Sequence, residues 1–433
     1  MPISSFKWRP RLAALPLAAL VVLAGCGFGS SSSSGGGVKI SSGSGPIHFA
    51  VLASFTGAFA DIGAAMWEGA KAGEAAVNDS GGINGRKLVV DLVDTVGDPA
   101  DAVPALNKEI ITNHPIGAIG PTTSEIFGLQ PILDRNKLPF MFEGGSTVFD
   151  TNKDPYLWRS NPSDGVLGVC MATWAIQHGY KTAAFTFSTA ESVQTLGKVV
   201  EAAYKKLGGT LTVSVPLTPQ QPSYRSEILR VVQSKPQAVL MQTEAVSAGA
   251  YFNDFRELGG LNIPFIGSDI TTGSDFIKAV TPDFMNKHVV SCVGSSQPGP
   301  GGDAFTKYYA KAFTHQPLGS ANYAYDGTVD LALAIAKADS ADSSAINTTI
   351  RKLSDPPGAE CVNYADCLKL IKDGKDANYR GASGPLLYDK YNNVFGPFDV
   401  VQAQADGTLK ALVTYSADDL TKAHNGTAPA LKP

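Results

Sequence analysis

From residue 46 to about residue 270 the chain alternates between short apolar runs and longer amphipathic ones, with Gly, Pro, Asn and Ser at the joints. Repetition of this kind leaves few folds open, because β-α-β units assemble into parallel sheets covered by helices. Residues 116–147 show the unit. Ile116-Gly117-Ala118-Ile119-Gly120 reads as a buried strand, and Pro121-Thr122-Thr123-Ser124-Glu125 opens a helix with a capping-box spacing from Thr122 to Glu125. Residues 138–142 form a second strand, followed by Gly144-Gly145-Ser146-Thr147. Both turns fall at the carboxyl ends of parallel strands, where N–H groups and helix N-termini converge and open α/β sheets hold small ligands. Taken alone, Thr122 can equally be a plain helix cap and Gly144-Gly145 a plain turn.

The pattern runs twice. A first series gives strand 47–54, helix 64–78, strand 87–94 and helix 98–113, then the unit above. It restarts near Trp158-Arg159, with helices at 166–178, 195–207, 224–234 and 248–258 and strands at 182–187, 210–215, 238–242 and 264–267. Two α/β lobes follow. Strand 289–295, helix 302–313 and an Ala-rich helix 323–338 read as a return to the first lobe.

A length of 433 residues and 44% hydrophobic content suit a large core in two or three domains. With 17% charged residues and a net charge of −4 there is no basic field for nucleic acid. Lys7, Arg9 and Arg11 precede an apolar run over residues 12–22 and then Leu23-Ala24-Gly25-Cys26. Too short to span a bilayer, that run reads as the core of a secretory signal; the small residues before Cys26 resemble a bacterial lipobox, with Cys26 as the lipidated residue. A short uncleaved anchor is the other reading. Residues 27–45, almost wholly Gly and Ser, then form a flexible tether of roughly 25 Å. Export permits oxidation, so Cys361 and Cys367, six apart, are expected to form a small-loop disulfide, while Cys170 and Cys292 read as inert buried thiols. None of the six His residues falls at metal-ligand spacing, and no metal or cofactor is expected.

Several stretches, taken in order, resemble the type I periplasmic binding proteins of the leucine/isoleucine/valine-binding kind, the solute receptors of ABC importers. They are Val51-Leu52-Ala53-Ser54-Phe55-Thr56-Gly57, Asn78-Asp79-Ser80-Gly81-Gly82-Ile83-Asn84-Gly85-Arg86, Ile119-Gly120-Pro121 with Ser124, Trp158-Arg159 with Pro162-Ser163-Asp164, and Tyr325-Asp326. The resemblance implies two Rossmann-like lobes with parallel sheets, joined by a three-strand hinge and closing like a flytrap. It divides the chain into a signal peptide (1–25), tether (26–45), first lobe (46–160 and 290–396), second lobe (161–289 and 397–415) and tail (416–433).

It also implies a site. Ser124 and Thr147 match the hydroxyls that hold a ligand carboxylate and Gly145 a backbone contributor, with Thr123 and Ser146 beside them; Asp269 matches the acid that pairs the ligand ammonium. Asp269 can instead cap a helix starting near Gly273. Departures concern selectivity: Ile62, Ser192 and Glu244 stand where the family has aromatics, and Phe55 and Phe59 are candidate replacement walls. Glu244 beside Asp269 favours a polar or cationic solute, unless it turns outward to Arg225 or Arg256. The function implied is a monomeric, membrane-anchored extracytoplasmic receptor delivering an amino acid or related zwitterion to an ABC permease. A sensor on the same fold is the alternative; an exported hydrolase is disfavoured because no Gly-x-Ser-x-Gly elbow is present.

Overall fold

The computed structural model describes residues 39–56, 60–295, 299–354, 357–394 and 396–429, with the side chains of Glu191, Ser192, Gln194 and Ser354 excepted. The signal segment, Cys26, Phe59 and Phe395 lie outside the described residues.

The first series folds as β1 (Ile47–Ala53), α1 (Ala60–Asp79), β2 (Leu88–Asp94), α2 (Pro99–Asn113), β3 (Gly117–Ile119), α3 (Thr123–Arg135), β4 (Phe140–Phe142) and β5 (Leu157–Arg159). Its strands make one parallel sheet in the order β2-β1-β3-β4-β5. The second series gives α4 (Asp164–Gln177), β6 (Thr182–Ser188), α5 (Glu191–Lys206), β7 (Thr210–Leu217), α6 (Arg225–Gln233), β8 (Ala238–Gln242), α7 (Ala245–Glu257), β9 (Phe265–Gly267), α8 (Ser274–Val280), α9 (Pro282–His288) and β10 (Val289–Gly294). The chain then adds α10 (Gly302–Ala312), α11 (Ala321–Ala338), α12 (Ser343–Ser354), β11 (Ala359–Cys361), α13 (Tyr364–Lys372), β12 (Ala377–Tyr379), β13 (Phe398–Ala403), β14 (Leu409–Tyr415) and α14 (Ala417–His424). The second sheet runs β14-β13-β10-β9-β8-β6-β7, parallel from β7 to β10 and antiparallel over β13 and β14.

Strand direction reverses its winding between β1 and β3 in one sheet and between β6 and β8 in the other. Loops leave those strands in opposite directions, so each sheet opens a crevice at its carboxyl edge. Three chain crossings join the lobes, and they touch one another. Ser295 donates its N–H to the Pro397 carbonyl at 3.0 Å, and a Cβ on Gly396 would meet Pro162 Cγ at 2.6 Å.

Helix α11 returns to the first lobe and lies along α1. Its close approach needs small residues: a Cβ on Gly69 would sit 2.0 Å from the Ala321 carbonyl oxygen. Alanines at 70, 324, 332 and 334 fill the seam, all fully buried.

Four readings from sequence are corrected. Strand β10 pairs with β9 and β13, so the chain stays in the second lobe to residue 294 and returns to the first only with α10; an apolar run carries no mark of which sheet will accept it. Residues 417–424 are not a loose tail but α14, started by a Ser416–Asp419 capping box and burying Leu420 and Ala423 on the second lobe. The tether is shorter than its composition suggests: Ile40 is buried, and Ser41 hydrogen-bonds Asp339 through both its N–H and its hydroxyl. Cys170 on α4 and Cys292 on β10 are bonded to each other, with Cα atoms 6.2 Å apart, because the sheet brings together residues 122 positions apart. Cys361 and Cys367 are also bonded.

Candidate functional site

The carboxyl edges of the two sheets face one shared cleft, and the short loops leaving those edges carry its polar groups. On the first lobe the loop after β3 enters α3 through Thr122. The capping box expected there does not form, since the Thr122 hydroxyl reaches the Glu125 side chain and makes no cap bond to the backbone. Glu125 is fully buried and also accepts the hydroxyls of Thr95 at 2.7 Å and Ser124 at 2.8 Å. Ser124 therefore spends its proton on its neighbour, and as placed it turns lone pairs rather than a donor to an arriving anion.

The loop after β4 is held from behind. Arg159, with no exposed surface, donates to Asp150 Oδ1 at 2.7 Å and to the Ser146 carbonyl at 2.5 Å, and lies 5.5 Å from the Phe142 ring centre. Burial lowers the pKa of this guanidinium, and Asp150 draws it back up. Asp150 accepts the Ser163 hydroxyl as well, at 2.6 Å, so one carboxylate ties the β4 loop to the start of α4. Thr123 accepts the Ser146 N–H at 3.3 Å, and Ser146 Oγ accepts from Val148 N–H. Ser146 and Thr123 thus shape the loop. Thr147 starts a 3₁₀ turn (Thr147–Thr151) that contacts α5 of the opposite lobe.

Gly145 faces α4 directly. Its carbonyl accepts the Asp164 N–H at 2.8 Å, and a Cβ placed on it would fall 2.0 Å from Asp164 Oδ1. Asp164 is pushed up to about 7, first by burial and then by the negative charge of Asp269, while Arg159 pulls it down. Asp269 opens the 3₁₀ turn Asp269–Thr272 after β9, and its Oδ1 accepts the Ile270 N–H. It is not the cap of α8, whose N-cap is Gly273. Asp269 keeps solvent contact while protein surrounds it, and that desolvation raises its pKa.

Glu143, at the end of β4, is 7% exposed and is pushed up to about 8 by burial alone. Glu244, at the start of α7, accepts the Ser188 hydroxyl at 2.5 Å across the β6–β8 switch point. It does not reach either arginine: Arg225 pairs with Glu257, and Arg256 bonds Asn253 and lies over Phe284. From α11, Tyr323 sets its hydroxyl against Gly294, and its pKa is raised by burial and by Asp399, Asp326, Glu143 and Asp269.

Several of the buried oxygens without a hydrogen-bond partner among the described residues lie here. Glu143 Oε1, Asn161 Oδ1, Gln242 Oε1 and Glu244 Oε2 are all acceptors, and Thr243 and Ser268 hydroxyls lie with them. A buried acceptor left unpaired is costly, so such a set marks a place where donors arrive from outside the chain. No group of three His, Cys, Asp or Glu among the described residues is placed to hold a metal. Phe55 stands at the cleft mouth with its ring edge-on to Trp67 at 6.2 Å, and its N–H donates to Asp94. The Ser192 side chain lies outside the described residues.

Glu143, Asp164 and Tyr323 were not among the sequence candidates. Glu143 directly precedes Gly144-Gly145, and Asp164 follows the Ser163 cap of α4, but neither position shows from sequence that it will be desolvated.

Similar architecture occurs in solved structures. A leucine-binding protein, LivK, of Thermotoga maritima MSB8 superposes with a TM-score of 0.72 at 18% identity, covering 86% of this chain and 99% of that one. LivJ of Streptococcus pneumoniae, a branched-chain amino acid transporter substrate-binding protein in complex with isoleucine, gives 0.70 at 16% identity, covering 86% and 99%. A solute-binding protein of an ABC transporter from R. palustris, in complex with benzoate, gives 0.67 at 16% identity, covering 86% and 97%. No curated protein matches the chain. At these identities the likeness is one of fold. Among the described residues no helix is long and apolar enough to cross a membrane. The family model described as periplasmic binding protein matches residues 46–362, most of the chain and both faces of the cleft, and the chain belongs to that family.

Proposed function

We propose that this protein is the extracytoplasmic receptor of an ABC importer, tethered through lipid on Cys26, and that it captures a small zwitterion carrying positive charge. The observation that carries the reading is the gathering of carboxyl groups at the facing sheet edges. Glu143, Asp164, Glu244 and Asp269 supply four carboxyl groups, and the one buried cation nearby, Arg159, is already paired with Asp150. Asp164 is raised by the charge of Asp269 as well as by burial, and a cation between them would relieve that repulsion.

The anionic end of the solute finds fewer donors. Among the described residues, no bond is made by the N–H groups of Gly144, Gly145 and Thr147 in the β4 loop or by the Thr147 hydroxyl. Binding to both lobes at once draws the carboxyl edges together about the three crossings, and a closed cleft is what a permease recognises. The family is one of periplasmic binding proteins, whose fold holds solutes.

A thermal-shift and calorimetric screen tests this. Lysine, ornithine, arginine and diamines are expected to stabilise the protein more than leucine, isoleucine or benzoate. Stabilisation by the uncharged amino acids or by benzoate alone would overturn the cationic reading while leaving a receptor role in place.

A further inference from the structure

A concavity on the first lobe is lined by none of the residues assigned to the cleft. Its volume is about 600 Å³, and it opens between α12, the segment preceding β5 and the segment leading to the third crossing. Four cations line it, Lys153, Arg351, Lys352 and Lys390, with one carboxylate, Asp154. That is an unusual concentration in a chain whose net charge is −4. None of the four makes an ion pair among the described residues.

The lone carboxylate is already bonded within the chain: Asp154 accepts the Tyr156 N–H at 2.8 Å and Gln130 Nε2 at 3.0 Å, and burial together with Asp154 pushes the neighbouring Asp134 up to about 7. The guanidinium of Arg351 is committed as well. It donates to the Tyr388 carbonyl at 2.9 Å and to Asn392 Oδ1 at 2.6 Å, and stacks 5.5 Å from the Trp158 ring centre. Its charge remains, but its fork is not free to grip a planar carboxylate. Asn347 uses its oxygen to accept from Trp158 Nε1 at 2.5 Å, which leaves its amide hydrogens as donors. Lys153, Lys352 and Lys390 are exposed, flexible ammonium groups, and Lys390 lies 4.8 Å from the Tyr391 ring centre.

We propose that this cavity is a second ligand site, separate from the interlobe cleft, for a phosphate-bearing anion. Three movable point charges around a fixed fourth suit a compact tetrahedral group with charge on several oxygens, which accepts donors from many directions. Trp158, Tyr391 and Pro155 give the rest of such a molecule an apolar wall. Both a soluble phosphate monoester and a lipid headgroup carry this chemistry. The proposal stands independently of the solute assigned to the cleft.

Calorimetry and phosphorus NMR on the full chain at neutral pH test it, with inorganic phosphate, glycerol 3-phosphate and dihexanoylphosphatidylglycerol as probes and dihexanoylphosphatidylcholine as the zwitterionic control. At least one of the three anions is expected to bind at one site, and the double variant Lys352→Gln/Lys390→Gln to weaken it by about ten-fold or more. Both lysines are exposed and unpaired, so the fold is retained, and thermal unfolding of the variant checks this. Preference for glycerol 3-phosphate identifies a soluble source, and preference for the phosphatidylglycerol a lipid one. Binding of none of the anions, equal binding of the phosphatidylcholine, or undiminished binding in the variant would overturn the proposal.

Discussion

Gly145 and Asp164 meet across the cleft, the glycine carbonyl accepting the aspartate N–H at 2.8 Å and the aspartate carboxylate occupying the space a side chain on Gly145 would need. The loop after β4 in the first lobe and the first helix of the second lobe are fitted to each other at this point. Replacing Gly145 with Ala places a methyl 2.0 Å from Asp164 Oδ1, so the lobes are held apart. Solute affinity is expected to fall at least about ten-fold, the equivalent of about 1.4 kcal/mol. The contact is already made without solute, so the solute-free variant should also unfold at a lower temperature. Calorimetry on the variant checks this, and unchanged affinity would mean the contact does not belong to the closed, liganded state.

The cleft carboxyls make stability depend on pH in a stated direction. Glu143 and Asp164 titrate near 8 and 7 in the folded protein, above the ordinary carboxylate range near 4, so the folded state holds protons that the unfolded chain has lost. Their contribution is fully present below about pH 4 and is lost as pH rises through about 7 and 8. Unfolding temperature of the solute-free protein should therefore drop across that window, and the variant Glu143→Gln/Asp164→Asn should flatten the drop. A cationic solute binds the ionised carboxylates, so its affinity should climb over the same range. A profile identical in the variant would assign the pH dependence to other groups.

Among the described residues, the Thr147 hydroxyl in the β4 loop has no bond within the chain. Thr147→Val keeps its shape and removes the donor. If it holds the solute's anionic end, affinity for a zwitterion drops by about 1.5 to 3 kcal/mol, the worth of a hydrogen bond to a charged group. A carboxylate-free diamine should bind the variant and the parent alike, which separates this role from a general disturbance of the loop.

The Cys170–Cys292 bond closes a loop of 122 residues, and on the chain-entropy view it restricts the unfolded state strongly. Replacing both with Ala should lower stability by about 3 to 5 kcal/mol, against about 2 kcal/mol for the short loop closed by Cys361 and Cys367. Denaturant midpoints for the two double variants check the order. Greater loss from the short loop would point to packing around α13 rather than chain entropy.

Much of the architecture was legible because it is local. Alternation of apolar runs with turn residues reports strand and helix within a few positions, and Asp98, Ser163 and Asn363 cap their helices through bonds to neighbours two or three residues on. Which sheet a strand joins is a long-range matter. Strand β10 has the same apolar character as any buried strand, and only its fit between β9 and β13 sets its lobe.

The same division runs through the site. The order of residues placed Ser124, Gly145, Thr147, Glu244 and Asp269 at the carboxyl ends of strands, because loop position follows from the alternation itself. Their charge state and hydrogen-bond economy did not follow. Ser124 donates to Glu125, Thr123 serves the Ser146 amide, and Glu143 and Asp164 become the strongly perturbed acids, all because burial and through-space neighbours fix the cost of a charge. Sequence by itself determined that this chain builds two lobes of β-α-β units, with polar loops on the carboxyl edges of their parallel strands. Tertiary structure decided that those edges face each other with more acceptors than donors, since desolvation is a property of the surrounding volume and not of the residue's place in the chain.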